Sequence, residues 1–148
     1  MVAADDAKSG FSDAERAAMQ QRAEELRSTE GVKGAAKRAR EHQACLDALE
    51  ALEGSDRVIG ERLHLIVAEE APDLDAKTFY GFPAYARDGK VIVFFQPKSK
   101  FDTRYGTISF DESANLDSGA WWPTSFAVIE MTAEVEASVR ELVRRAVS

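Results

Sequence analysis

The chain has 148 residues, of which 45% are hydrophobic, and its 19 basic and 26 acidic side chains give a net charge of −7. This length and composition predict one soluble domain that is large enough to bury a core. The acidic balance argues against nucleic acid as a partner, because phosphate binding needs a basic face, but it leaves room for cations.

Neither a membrane segment nor a cross-linked scaffold is predicted. No apolar run approaches the roughly 20 residues that a membrane helix needs. The start of the chain, MVAADDAKSG, lacks the apolar stretch of a signal peptide. The single cysteine, Cys45, cannot form an internal disulfide. We therefore expect a reduced, cytoplasmic protein that does not bind membranes.

Residues 1–54 are predicted to form an N-terminal extension with a disordered tip and two helices. The first ten residues are small and polar, which is typical of a disordered terminus. Ser12 and Glu15 have the spacing of a capping box, so the first helix begins after Ser12. It has few apolar residues to bury, and we expect a peripheral arm that depends on docking. The second helix has an apolar stripe made of Cys45, Leu46, Leu49 and Leu52.

Residues 55–148 are predicted to form an α+β domain. A third helix over about residues 56–70 stops before Pro72, which cannot continue it. Five strands follow, at about residues 77–80, 82–87, 90–95, 104–110 and 125–130. The second and third flank Asp88-Gly89, the dipeptide of a type I′ hairpin, and Thr132 caps a final helix. We predict a two-layer sandwich, in which two helices cover an antiparallel five-stranded sheet.

The central stretch resembles a bacterial family of unknown function, the YdhG-like proteins. The resemblance rests on Tyr80-Gly81-Phe82-Pro83-Ala84-Tyr85 and Asp88-Gly89-Lys90-Val91, and later on Asn115-Leu116-Asp117-Ser118-Gly119-Ala120, Trp122-Pro123-Thr124 and Phe126-Ala127. It covers roughly residues 56–148. Such proteins are often described as frataxin-like iron chaperones. The resemblance therefore implies a non-enzymatic protein that binds iron(II) and delivers it to an iron-accepting protein, but it supplies no set of iron ligands.

Four acidic residues near the end of the third helix are the candidate iron ligands: Glu69, Glu70, Asp73 and Asp75. Two glutamates at a helix C-terminus face the unfavourable end of the helix dipole, and no basic residue lies among the four. A local rule broken without visible compensation can mark a functional site, and carboxylate oxygens suit a hard cation. The position also resembles the acidic ridge of frataxins. The alternative is a solvated acidic helix end.

The second candidate site is aromatic, for a ligand or a homodimer interface, and comprises Tyr80, Phe82, Tyr85, Phe95, Tyr105, Trp121 and Trp122. Adjacent aromatic residues, as in Phe94-Phe95 and Trp121-Trp122, cannot both point to one face of a strand. One of each pair must face outward, where a loop, a ligand or a second subunit would cover it. The simpler alternative is that the long turn at residues 111–120 covers these rings as part of the core.

Catalytic chemistry has the least support of the three possibilities. The sequence has no P-loop, HExxH, paired CxxC or GxSxG motif. Cys45 lies on an apolar helical stripe, which favours a buried, inert thiol. The two histidines, His42 and His64, would lie within about one helical turn of each other if the second and third helices pair antiparallel. A shared metal site there and two independent surface histidines are both consistent with this spacing.

Overall fold

The computed structural model describes residues 10–148. Residues 1–9 of the predicted disordered tip lie outside the described residues. The helices are α1 (Asp13–Ser28), α2 (Gly34–Glu50), α3 (Gly54–Glu70), the short α4 (Lys98–Phe101) and α5 (Ala133–Ala146). The strands are β1 (Asp75–Phe79), β2 (Phe82–Arg87), β3 (Lys90–Gln96), β4 (Gly106–Phe110) and β5 (Ser125–Val128).

The strands form one antiparallel sheet in the order β1-β2-β3-β4-β5, so every pair is adjacent in sequence. The β2–β3 turn has φ angles of 52° at Asp88 and 80° at Gly89, as a type I′ turn requires. The β1–β2 connection is also a two-residue turn with positive φ angles. Phe79 pairs with Phe82, and the two residues between them, Tyr80 and Gly81, have φ angles of 54° and 81°. Tyr80 therefore belongs to a tight turn and not to the predicted first strand.

Helices α2, α3 and α5 form the layer that covers one face of the sheet. The core combines Cys45 and Leu49 from α2, Leu63 and Ile66 from α3, and Val139 and Val143 from α5 with Tyr85, Phe95 and Ile108 from the strands. The predicted α+β sandwich with a helical N-terminal portion is confirmed. The second helix of the extension contributes side chains to the same core as the sheet.

Helix α1 is the peripheral arm that the sequence predicts. Its capping box is present, because Ser12 Oγ accepts from the N–H of Glu15 at 3.1 Å and the Glu15 carboxylate accepts from the N–H of Ser12 at 3.2 Å. Ala18 is its only buried residue, and Met19 and Leu26 remain exposed. With so little apolar burial, α1 depends on polar contacts for its position.

A buried carboxylate positions α4 near the end of the first hairpin. Asp56, in the first turn of α3, is 4% exposed and accepts from the backbone N–H groups of Lys98 at 3.0 Å and Ser99 at 3.2 Å. These are donors at the start of α4 that no helical carbonyl can satisfy. Asp56 thereby fixes the helical turn that carries Lys100 and Phe101. Within residues 10–148, no helix is long and apolar enough to span a membrane.

Candidate functional site

The two glutamates at the end of α3 pair with arginines of α5. Arg140 Nη1 donates to Glu69 at 3.1 Å and to Glu70 at 2.9 Å, and Arg144 lies 3.4 Å from Glu70. Arg140 and Arg144 supply the positive charge that compensates the two glutamates at the helix C-terminus. The sequence near Glu69 does not show this charge. The hydrogen bond to Glu70 is the main cause of the raised pKa of Arg140; burial opposes it, and the bonds to Glu69 and Glu136 add to it.

The ion pairs continue along α5 and away from the remaining candidate ligands. Glu136 accepts from Arg62 and Arg140, and the hydrogen bond from Arg62 is the main cause of its lowered pKa. Asp73 and Asp75 are exposed in the connection to β1 and at its first residue. Among the described residues, no three His, Cys, Asp or Glu side chains gather as a metal site. Iron(II) binding through the predicted cluster stays a prediction.

The predicted aromatic residues divide between core and surface. Tyr85 and Phe95 are buried against the helices, and Phe82 is buried on the opposite face of the sheet. Tyr80 is half-buried and Tyr105 is 37% exposed.

The two tryptophans lie in the segment before β5 and not in a strand, so the strand rule for adjacent aromatic residues does not apply to them. Trp122 packs against the core, to which the long turn contributes Ala114 and Leu116, whereas Trp121 is 88% exposed. The turn therefore covers one tryptophan and leaves the other uncovered.

An aromatic cluster occupies the hairpin end of the sheet face opposite the helical layer. Phe94 lies 5.5 Å from Phe79 and 6.2 Å from Phe82 between ring centroids, and Phe101 of α4 lies 6.1 Å from Phe82. Arg22 of α1 covers this cluster, with its guanidinium 5.3 Å from the centre of the Phe79 ring. The chain's own arm thus lies where an external ligand was expected. Phe79 and Arg22 were not among the predicted site residues.

A carboxylate of α1 is bound at the turn next to this cluster. Glu25 accepts from the backbone N–H of Tyr80 at 3.2 Å and from that of Gly81 at 2.6 Å, and Arg22 Nη1 lies 3.3 Å from it. The ammonium of Lys100 is close by, since a Cβ atom added to Gly81 would lie 3.1 Å from Lys100 Nζ. Two converging amides and nearby cations are the donors that suit a carboxylate.

The same turn carries unusual backbone strain. Tyr80 adopts a φ of 54°, a left-handed conformation that costs a bulky residue about 1–2 kcal/mol. In type I′ turns Asn, Asp or Gly normally takes this position. Strained residues cluster at binding sites, and the amides of both turn residues, Tyr80 and Gly81, face the carboxylate of Glu25.

A cleft of about 570 Å³ lies between α1, α2 and the start of the first hairpin. Its charged lining comprises Arg22, Lys37, Arg40, Lys77 and Lys100 together with Glu24, Glu25, Glu41 and Asp47. Two of these acids are already paired, since Glu41 lies 3.2 Å from Lys77 and Glu25 is held at the turn. The same contacts occupy Lys77 and Arg22, so the cleft has an excess of one positive charge in an otherwise acidic protein. No sequence pattern indicated it, because its walls come from segments far apart in the chain.

The predicted proximity of the two histidines is correct. The ring centroids of His42 on α2 and His64 on α3 are 6.1 Å apart, and His64 Nδ1 lies 2.9 Å from the hydroxyl of Tyr85. Burial, and then the neighbouring His42, lower the pKa of His64. Burial raises the pKa of Cys45 to about 11, so its thiol is protonated and unreactive near neutral pH.

Comparisons with models of protein families, with curated proteins and with solved structures find no match to this chain. Its resemblance to YdhG-like proteins stays a prediction.

Proposed function

We propose that this chain is a non-enzymatic, cytoplasmic binding module that captures a carboxylate at the β1–β2 turn. The observation that carries this proposal is the bound carboxylate of Glu25, which satisfies the amides of Tyr80 and Gly81. The chain thus contains a receptor for an anion together with an occupant of its own.

The occupant can be exchanged at a modest cost because α1 is weakly anchored. Only Ala18 of this helix is buried, and a helix of this length is marginally stable by itself. The contacts that hold its C-terminal half are polar, made by Glu25 and Arg22. An external carboxylate would replace Glu25 at the turn amides while α1 moves aside.

The surroundings of the turn define the chemistry of the ligand. Lys100 and other cations of the cleft favour a negative charge. The rings of Phe79 and Tyr80, 4.7 Å apart, offer an apolar surface next to the amides. The best fit is a carboxylate attached to an apolar or aromatic group, from a small molecule or from an acidic peptide segment.

Calorimetric titration with benzoate tests this function. We expect Glu25→Ala to bind benzoate at least tenfold more tightly than wild type, because the competing carboxylate is gone, and neither protein to bind benzamide. A peptide spanning residues 12–29 tests the peptide source, and the same peptide with glutamine at position 25 is its control. The proposal would be contradicted if Glu25→Ala bound neither benzoate nor the acidic peptide. It would also be contradicted if Glu25→Ala bound benzamide as tightly as benzoate.

Iron(II) delivery to an accepting protein is a separate prediction that rests on Glu69, Glu70, Asp73 and Asp75. A cation there would have to displace Arg140 from two of them. Anaerobic iron(II) titration of wild type and of a variant with all four acids changed to their amides tests it. Saturable iron(II) binding by wild type that the amide variant loses would support the prediction. Equal iron(II) binding by both proteins would contradict it.

A second candidate function is self-association through the opposite end of the sheet. Trp121 before the edge strand β5 is 88% exposed and Ile129 after it is 64% exposed, and a contiguous exposed apolar patch is typical of an interface. We propose a homodimer in which this edge meets a second copy. Sedimentation of wild type and Trp121→Ala tests it: a dimer that the substitution dissociates supports the proposal, and a monomeric wild type contradicts it.

A further inference from the structure

The pair His42 and His64 lies on two consecutive helices whose facing sides are fixed by packing. Cys45 and Leu49 of α2 and Leu63 of α3 belong to the same buried core. The close approach of the helices depends on Gly60, since a Cβ atom there would lie 3.0 Å from a methyl carbon of Leu49. The two imidazoles are therefore presented by rigid elements and not by loops.

The separation of the rings is compatible with one shared metal ion. A metal–nitrogen bond of about 2.0 Å and an imidazole radius of about 1.1 Å place an ion about 3.2 Å from each ring centroid, so two rings on one ion are at most about 6.4 Å apart. The observed distance is 6.1 Å. His42 is exposed and free to turn about its χ angles, which allows the more acute angle of a tetrahedral site.

His64 also has the supporting partner that metal-binding histidines use. Its Nδ1 lies 2.9 Å from the hydroxyl of Tyr85, a side chain that is 1% exposed. An ion at Nε2 selects the tautomer whose Nδ1–H donates to Tyr85, and such a partner orients the ring and raises its basicity as a ligand.

A carboxylate lies one helical turn from His64. Glu61 borders the same shallow pocket as His64 and is bonded to Arg57 at 2.8 Å in an exposed ion pair. Exposed pairs of this kind on a helix are weak, at about 0.3–0.5 kcal/mol. Glu61 does not gather with the two imidazoles, since no three His, Cys, Asp or Glu side chains come together among the described residues, so water would complete the coordination sphere.

We propose that His42 and His64 form a binding site for a divalent transition-metal ion that prefers imidazole, with zinc as the representative. This site is independent of the carboxylate receptor at the β1–β2 turn and of the acidic residues at the end of α3. Imidazole nitrogen distinguishes it from the all-oxygen site predicted for iron(II).

Zinc titration of the full chain at pH 7.5, followed with a competing fluorescent chelator, tests this site. We expect one zinc ion per chain, and at least tenfold weaker binding by His42→Ala and by His64→Ala. Tyr85→Phe keeps both ligands and removes only the hydroxyl, so we expect binding that is about tenfold weaker. The variant with amides at positions 69, 70, 73 and 75 is the control and should bind zinc as wild type does.

Imidazole nitrogen shifts measured by NMR supply a readout that is independent of affinity. One equivalent of zinc should move the Nε2 resonance of His64 in wild type and move it much less in His42→Ala. Because His42 is exposed, its substitution leaves the core intact, so unchanged zinc affinity in that variant would overturn the proposal. Absence of saturable zinc binding to wild type would overturn it as well.

Discussion

Glu25 and Gly81 are 56 residues apart in the chain, yet the carboxylate of Glu25 lies 2.6 Å from the backbone nitrogen of Gly81. This contact joins the N-terminal arm to the first hairpin and satisfies an amide of a strained turn. The same two atoms define the proposed receptor and its occupant. How easily this contact opens decides whether the site is available to a ligand.

Replacement of Glu25 should release α1 while the core stays folded. Hydrogen bonds to a charged group contribute about 1.5–3 kcal/mol each, and about 1.4 kcal/mol corresponds to a factor of ten. In Glu25→Ala we therefore expect amide hydrogen exchange in α1 to be at least tenfold faster, with α3 unchanged. Glu24→Ala, at the exposed neighbouring position, is the control. Equal exchange rates in the two variants would show that Glu25 does not anchor the arm.

Asp56→Ala should destabilise the whole domain. The substitution leaves the amides of Lys98 and Ser99 without their acceptor in a partly buried setting, which costs about 1–2 kcal/mol. Urea denaturation measures this loss. Asp56→Asn retains one acceptor oxygen, so its free energy of unfolding should lie between those of wild type and Asp56→Ala. A loss below about 0.5 kcal/mol, the range of neutral surface substitutions, would contradict this role for Asp56.

Arg140→Gln should lower the midpoint of thermal unfolding more than Arg144→Gln does. Arg140 contacts Glu69, Glu70 and Glu136, whereas the contacts of Arg144 are with Glu70 and Glu141. Removing Arg140 leaves carboxylates of two helices facing each other. The difference between the variants should shrink at high salt, which screens the repulsion. Equal midpoints at low salt would mean that the network does not join α3 to α5.

The buried thiol predicts a loss of stability at alkaline pH. Burial raises the pKa of Cys45 from 9.0 to about 11, so between these values the unfolded chain ionises and the folded chain does not. The free energy of unfolding should therefore fall as pH rises from 9 to 11, by up to about 3 kcal/mol from this group.

Cys45→Ser is the matched variant for the alkaline measurement, because a hydroxyl does not titrate in this range. Burial also raises the pKa of Tyr85 well above its usual value. Tyr85 therefore lowers the free energy of unfolding at alkaline pH in wild type and in the variant alike. Urea denaturation at several pH values should give a steeper decline for wild type. Parallel declines would show that Cys45 does not ionise differently in the two states.

Local signals in the sequence predicted the framework of the fold. Asp88-Gly89 predicted a type I′ turn, Ser12 and Thr132 predicted helix starts, and Pro72 predicted the end of a helix, because each acts within a few residues. The turn at Tyr80-Gly81 was less evident, since tyrosine is unusual where φ is positive. Its geometry depends on tertiary contacts that include Glu25.

The candidate sites could not be predicted to the same extent, because their partners are distant in sequence. Glu70 is unpaired within its own segment, and Arg140, which pairs with it, follows 70 residues later. The rule that adjacent aromatic residues of a strand face opposite ways holds for Phe94 and Phe95, whereas Trp121 and Trp122 lie outside any strand. It could not show that Arg22 covers Phe79, because nothing in the helical arm indicates which face of the sheet it contacts.

The backbone amide of Gly81 gives the most direct test of the carboxylate receptor. Its proton resonance should lie downfield in wild type, where Glu25 accepts a short charge-assisted hydrogen bond. It should move upfield in Glu25→Ala and return downfield as benzoate is added, while benzamide leaves it unmoved. A Gly81 resonance that is the same in wild type and Glu25→Ala, or that ignores benzoate in the variant, would contradict the account.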